Sequence, residues 1–547
     1  MVRNIFVILV ILLFGCGSNS ENEYHYTESP QIQGETYWWN DAVFYEIFVR
    51  SFYDSDGDGI GDLQGIIEKL DYLNDGDPAT DDDLGITGIW LMPICPSPSY
   101  HGYDVVDYRS VNEDYGTEAD FLELMEQCHL RGIKVIVDYV MNHSSDQHPW
   151  FIASADEEPD FSDWYLWRNN DPGYTQPWGG TNHVWHPHNN GQYYYGVFWG
   201  GMPDLNYTNQ QVKDEMFDIA EYWLNEMQVD GFRCDAVKYM IEADSQLENT
   251  ADTYLFWEDF HDHYKSVDSE AMAVGEAWDA TETVLNYVDG KFDFCFEFDL
   301  ASAIIYSTNT SSPSHLINKM AYIKEAYPYH QYGTFLTNHD MNRVFNELAG
   351  NIEKNKLAAA VYLTLPGIPF LYYGEEIAMS GVKPDPDIRR PMQWDSGPNA
   401  GFSDGTPWHT INDNYTNFNV EDQQNDENSL WNCYQKLIKV RSEQDALRKG
   451  TYQAVSSSSG NVYSFLREYD DEGVFVIINF SANNLNDLVI NADSTNLSPG
   501  EYLITDLLGQ LEFTDNLTIG NAGEILNWSP LSSLSARDTS ILKLSKI

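Results

Sequence analysis

Four short segments place polar or charged side chains at the ends of runs that read as β-strands: VIVDYVMNH (135–143), GFRCDAVKY (231–239), VGEAW (274–278) and FLTNHD (335–340). Side chains alternate across a strand, so Arg233 and Asp235 share one face while Cys234 points the other way. An arginine beside a carboxylate on one face keeps that carboxylate ionised and fixes its orientation. Brought to one mouth, Asp235, Glu276 and Asp340 would suit glycoside hydrolysis. In that chemistry one carboxylate attacks the anomeric carbon, and another protonates the leaving oxygen and later activates water. Each acid taken singly is better explained as a solvated strand end. The three together, with Arg233 and His339 beside them, make coincidence a poor account.

A second acidic feature is the loop DSDGDGIGD (54–62). Asp54, Asp56, Asp58 and Asp62 occupy positions 1, 3, 5 and 9 of an EF-hand-like loop, with Gly59 at 6 and the Ile60 carbonyl at 7. Position 12 is Gly65 where an EF-hand has a bidentate Glu, so this is not an EF-hand. Carboxylates this close repel one another without a cation, and the loop is expected to hold a structural Ca²⁺ through Asp54, Asp56, Asp58, Ile60 and Asp62. The competing reading is an exposed acidic turn. No organic cofactor is implied.

These residues need a scaffold, and the chain supplies a regular one. Strand-like runs at 42–49, 86–93, 132–140, 229–237, 271–278, 292–299, 332–340 and 368–376 alternate with amphipathic stretches such as EADFLELMEQCHLRG and QQVKDEMFDIAEYWLNEM. Eight such units predict an α/β fold, a (β/α)8 TIM barrel over residues 37–446, whose chemistry gathers at the C-terminal ends of the strands. A doubly wound open sheet is the alternative; eight repeats, and no G-x-G-x-x-G after the first strand, weigh against it. Between strands three and four lies a Trp-, His-, Asn- and Gly-rich interval too long for a structureless loop, predicted as an inserted domain at about 143–206. From 447 to 547 only strands and turns appear, predicting a C-terminal β-sandwich.

The N-terminus reads MVRNIFVILVILLFGCGSNS: one positive charge, an apolar run from Ile5 to Phe14, then Gly15-Cys16 and a polar tract. The run is too short to span a bilayer but fits a secretory signal, and its end resembles a bacterial lipobox. Residues 1–16 are therefore expected to be a lipoprotein signal with Cys16 lipidated, followed by a polar linker at 17–36. The protein is expected to be exported and anchored to the cell envelope, facing the periplasm or exterior. The other cysteines (95, 128, 234, 295 and 433) contain no C-x-x-C pair and read as plain buried thiols. With 86 Asp and Glu against 29 Lys and Arg, the net charge of −57 opposes nucleic acids and anionic lipid surfaces, leaving membrane attachment to the lipid alone. The chain is expected to act as a monomer.

The four segments that opened this section, in this order, resemble the four short motifs of the α-amylase family of glycoside hydrolases, and MPDLN (202–206) is similar to a fifth. The resemblance covers roughly residues 40–547. It implies Asp235 as nucleophile, Glu276 as general acid/base and Asp340 as transition-state stabiliser. Tyr103, His143, Arg233 and His339 would line the subsite holding the attacked sugar, with Lys238 on the aglycone side. A second calcium, common in the family between barrel and insertion, would use Asn142; Tyr239 stands where many members have His. Ala236 and Lys238 favour α-1,4 bonds in starch, glycogen and maltooligosaccharides, whereas the DSDGDGIGD loop and IRRPMQWDSGPNAGFS (388–403) are similar to segments of oligo-1,6-glucosidases. The expected activity is thus a retaining α-amylase. Alternatives are an α-glucosidase, a neopullulanase-type enzyme, a transglycosylase, and a non-catalytic glycan-binding lipoprotein.

Overall fold

The computed structural model describes residues 31–547 other than 289 and 471. The signal segment, Cys16 and the linker as far as residue 30 lie outside the described residues. Eight parallel strands close a barrel in chain order: β1 (Phe44–Ile47), β2 (Gly88–Leu91), β3 (Lys134–Tyr139), β4 (Gly231–Cys234), β5 (Met272–Gly275), β6 (Phe294–Phe296), β7 (Tyr332–Thr334) and β8 (Ile368–Tyr372). β8 returns to β1, pairing Phe370 with Phe44. Closure bears out the (β/α)8 expectation and disposes of the open sheet. Each strand lies within its expected run but is shorter, because the chain leaves the sheet early to build the loops at the carboxyl end.

Alternate strand residues fill the barrel, among them Phe44, Trp90, Ile136, Val274, Phe294, Phe296 and Phe370. The Phe44 and Phe370 rings stack with centroids 4.6 Å apart. Phe44 also explains why β2 begins with glycine: a Cβ at 88 would lie 2.5 Å from its ring. The opposite faces, including Tyr45, Ile89, Val135 and Val137, pack on the helical layer. Helix Glu118–Leu130 is representative. The Thr117 hydroxyl accepts from the Asp120 N–H, the Asp120 carboxylate accepts from the Thr117 N–H, and Phe121, Leu124, Met125 and Cys128 face inward at helical spacing.

Between β3 and β4 the chain forms the helix Pro149–Ala155 and an antiparallel sheet of Trp167–Arg168, Tyr193–Tyr195 and Trp185–Pro187. A bridge between His143 and Asp204 joins the two ends of this excursion beside the barrel mouth. Beyond residue 450 the β-rich expectation holds in a modified form. In place of two separate sheets, one eight-stranded antiparallel sheet curls round its own core, with a small two-stranded sheet alongside. Strand Thr451–Ser457 causes the curl, pairing with Val462–Tyr469 at its start and Ile490–Ala492 at its end. Buried Arg467 donates to the Thr364 carbonyl, and Arg441 to those of Leu363, Leu365 and Gly367, tying both pieces to the approach of β8. The five described cysteines are free, with Cys128, Cys234 and Cys295 buried. Among the described residues no helix is long and apolar enough to cross a membrane.

Candidate active site

The carboxyl ends of β3, β4, β5 and β7 bring the sequence candidates together around one guanidinium. Arg233, on β4, is fully buried. Its Nη1 donates to Asp235 Oδ1 at 2.8 Å and to both oxygens of Asp138, its partner across the sheet, at 2.9 Å. Nη2 lies 2.7 Å from Glu276 Oε1 as an ion pair. Trp90 closes the other side: Arg233 Cζ sits 5.0 Å from its ring centre, and the indole N–H donates to Asp138 at 3.3 Å.

Local backbone explains how Asp235 and Glu276 reach this cation. Both extend the ladder one step past their strands, with Asp235 N–H donating to the Tyr139 carbonyl and Glu276 N–H to that of Cys234. Ala236 then takes a left-handed φ of 53°, turning the chain away immediately after Asp235. Before Glu276 stands Gly275, where a Cβ would meet the Phe292 ring at 2.8 Å.

A second network fixes Asp340. His339 donates through Nδ1 to Glu46 on β1 at 2.5 Å, while Nε2 faces the Tyr103 hydroxyl at 2.7 Å and Asp340 Oδ2 at 3.2 Å. The Tyr103 hydroxyl donates onward to Asp138 at 3.1 Å, joining the two networks. Arg389 donates to Asp340 Oδ1 at 2.8 Å and to the His339 carbonyl at 2.9 Å. Burial disfavours a charged His339, but the carboxylates of Asp340 and Glu46 outweigh it and lift its pKa to about 10. Burial likewise opposes charge on Asp340, yet His339 and Arg389 hold its carboxyl well below the usual range. Glu276 goes the other way. Burial, reinforced by the negative Asp235 and Asp340, pushes it up to about 8 against the pull of Arg233. Two carboxyls in one site therefore differ in charge at neutral pH, Asp340 ionised and Glu276 protonated.

His143 is fully buried against Phe198, and its Nε2 has no protein partner, which leaves that atom for a substrate hydroxyl. Burial lowers its pKa to about 4, so it is neutral. Lys238 is held at the rim by Asp279 at 3.0 Å and Glu248 at 3.1 Å. Glu46 escaped sequence reasoning. The available signal was a lone acid inside the apolar run AVFYEIFV, which must have a partner if buried. Beside Tyr103, Asp104 accepts from the hydroxyls of Ser97 and Ser99.

In the 54–62 loop the carboxylates of Asp54, Asp56 and Asp58 converge within 4.8 Å, an all-oxygen set that fits a hard cation such as Ca²⁺. Asp62 lies apart from that trio: its oxygens accept from Ser55 and from the Gly65 N–H as it caps helix Leu63–Glu68. Oδ1 accepts two of these bonds and Oδ2 only one, so Oδ2 keeps a lone pair and capping is compatible with ligation. The loop also docks on the segment that follows Arg389, where Trp408 N–H donates to the Gly59 carbonyl at 2.8 Å. At the base of the insertion, Asn142 Oδ1, Asp204 Oδ2 and Glu242 Oε1 are buried without partners. Burial, with the nearby Glu242 carboxyl, raises the carboxyl of Asp204, and burial takes that of Glu242 to about 7.

A closed parallel barrel with acids gathered at its carboxyl end defines a class of enzyme scaffold, and comparison with known proteins narrows it. The family described as "Alpha amylase, catalytic domain" matches residues 46–450. The chain belongs to the α-amylase family of glycoside hydrolases. It is 38% identical to Alpha-amylase 3 of Dictyoglomus thermophilum, covering 81% of this chain and 85% of that protein. Identity to the oligo-1,6-glucosidase of Parageobacillus thermoglucosidasius is 32%, covering 82% and 91%. A solved α-amylase from H. orenii is 40% identical, covers 92% of this chain and 99% of its own, and superposes with a TM-score of 0.81.

Proposed function

We propose that this glycosidase is an α-amylase that hydrolyses α-1,4-glucosidic bonds of starch, glycogen and maltooligosaccharides with retention of configuration. The observation that carries the chemistry is the grip of one guanidinium on both Asp235 and Glu276. Oxygens held by the two nitrogens of one Arg favour the ~5–5.5 Å carboxyl separation of a retaining pair over the ~6.5–9.5 Å of an inverting one. Asp235, oriented by Arg233, attacks C1 while Glu276 gives its proton to the departing glycosidic oxygen. Glu276, now a carboxylate, takes a proton from water as that water attacks C1 and frees Asp235. Asp340, kept ionised, accepts hydrogen bonds from sugar hydroxyls, and His143 Nε2 addresses another.

Similarity to Alpha-amylase 3 and to the H. orenii α-amylase supports the α-1,4 assignment. A second reading, α-1,6-acting glucosidase, draws on the segment 388–403 and on the oligo-1,6-glucosidase relative. Chromatography of products from starch, pullulan and maltotriose separates the two: internal cleavage of starch is expected, and glucose release from isomaltose without attack on starch would overturn the choice. For the anchor, the supporting feature is Gly15-Cys16 after the apolar run, and loss of membrane partitioning in Cys16→Ala is the matching test.

Because Glu276 must be protonated to act, kcat/KM on maltooligosaccharides is expected to fall as pH rises through about 8. A glycosyl fluoride needs no acid to expel its leaving group, so its profile should lack that limb. A limb of equal size on both substrates would assign the titration elsewhere.

Calcium is proposed at Asp54, Asp56 and Asp58, with Ile60 and Asp62 completing the set, and at the base of the insertion through Asn142, Asp204 and Glu242. When bound, the cation supplies charge balance and rigidity rather than chemistry. A ligand that binds only the folded state at a hundredfold excess over Kd stabilises by about 2.7 kcal/mol. Chelation is accordingly expected to lower Tm by several degrees per site, and metal analysis to find two calcium ions per chain. A Tm indifferent to chelator would refute both sites.

A further inference from the structure

The chain enters the folded protein on the face opposite the active-site mouth. Trp38 and Trp39, in the helix Trp38–Asp41, lie across the amino ends of the barrel strands. The Trp38 indole N–H donates at 2.8 Å to the carbonyl of Glu270, two residues ahead of β5. Its ring centre lies 5.5 Å from Nζ of Lys134, the first residue of β3. Trp39 donates at 2.9 Å to Gln331, just ahead of β7, and packs with Phe44 in the barrel interior. Asp41 pairs with Arg448 at 2.8 Å and with Lys449 at 3.2 Å. The stretch before this helix is held along the same face. Tyr329 approaches Gly34 so closely that a Cβ there would lie 2.5 Å from its own. Gln31 sits among His330, Pro366 and Tyr452. Its side-chain oxygen accepts from the Tyr452 N–H at 3.1 Å, and its carbonyl from the Asn496 side chain at 3.0 Å. Asp235, Glu276 and Asp340 follow the other ends of β4, β5 and β7.

This placement limits how a lipid on Cys16 can orient the enzyme. The chain from Cys16 to Gln31 spans at most about 50 Å even when drawn straight. A compact body of this size has a radius of gyration of about 24 Å and a width of about 60 Å. Turning the mouth to the bilayer would require the link to cross that whole width, which is further than it reaches. We infer that the anchored enzyme stands with the amino-end face of its barrel towards the bilayer and its active site turned away, open to glucan polymers too bulky to enter between protein and lipid. This rests on the lipid-anchor reading above and adds which face the lipid tethers. The net charge of −57 acts in the same direction, because an anionic lipid surface repels the rest of the protein.

The test uses the full chain, lipidated by the producing cell and reconstituted into phosphatidylcholine vesicles that carry an energy acceptor on some head groups. A donor dye is attached through Ile32→Cys or through Val382→Cys, with the parent as labelling blank. Ile32 is 89% exposed beside the point where the chain enters the fold. Val382 is 52% exposed on the mouth side, next to Lys383, whose N–H donates to Asn342 two residues past Asp340. Efficient transfer is expected from position 32 and little from position 382. Equal transfer from both, or more from 382, would overturn the orientation. Activity gives a second readout: the ratio of starch to maltotriose hydrolysis should be the same on vesicles as after release into detergent. A loss confined to starch on the vesicles would also overturn it. The mass of the purified chain separates the two readings. A Cys16 without lipid would refute the anchor and the orientation with it, whereas a lipidated chain lacking the difference in transfer would refute the orientation alone.

Discussion

Asp235→Asn should fold like the parent and lose at least about four orders of magnitude in kcat, the scale seen when a covalent nucleophile is removed. The amide preserves the volume and still offers an oxygen to accept from Arg233 Nη1, which in the parent donates to Asp235 Oδ1 at 2.8 Å. Arg233 keeps Asp138 as a counter-charge, so no buried cation is orphaned and Tm should not fall. The negative charge of Asp235 is one of the causes that raise Glu276, so its removal should also lower the pKa of that acid. In Asp235→Ala, where the side chain is truncated, azide is small enough to sit where the carboxylate was and is expected to restore turnover and to give a glycosyl azide of inverted configuration. An Asp235→Asn enzyme with more than about one per cent of parental kcat would assign the nucleophile elsewhere.

Arg233→Met should damage the fold as well as the chemistry. The guanidinium is the counter-ion of Asp138 and Asp235 and touches the carboxyl of Glu276, and methionine fills its volume without its charge. Breaking a buried ion pair by removing one partner typically costs about 3–5 kcal/mol, and here two carboxylates lose it together. The deficit should depend on pH with a definite sign. Stripped of the cation, the buried carboxyls acquire folded-state pKa values above their unfolded ones, so the folded state binds the extra protons. Stability of the variant then falls as pH rises from about 4 towards neutrality, and recovers on acidification. Burial already takes Asp138 to about 6 in the parent with Arg233 present, which marks the window. Thermal unfolding at pH 5 and pH 8 is the check: a gap between variant and parent that is the same at both would remove the electrostatic explanation.

How much of this was legible in the sequence follows from where each residue sits. Barrel strands are buried on both faces, so they stand out as short apolar runs, and the acids that end them are conspicuous by contrast. Asp235, Glu276 and Asp340 were visible for that reason. Arg233 and His339 were visible beside them, but the contacts that lock the site were not. Glu46 and His339 meet across 293 residues, and Arg389 meets Asp340 from a loop whose sequence gives no sign of direction. That Asp62 also caps a helix was hidden, because carboxylate spacing does not reveal which acid starts one. The curl of the C-terminal sheet was invisible because it depends on one strand changing partners midway.

The pairing of Phe44 with Phe370 has a consequence in time as well as in space. The first strand of the barrel cannot find its second neighbour until the last strand has been made, so ring closure is among the most non-local events available to this chain and belongs late in folding. Until then β1 and β7 are both open edges, bare of partners and able to recruit strands from other chains. The arginines that reach from beyond residue 440 to the carbonyls just ahead of β8 act at that same seam. The latch of the barrel is thus shared: Arg441, on the helix Leu430–Glu443 ahead of the β-rich tail, makes three of its bonds, and the tail's Arg467 adds the fourth.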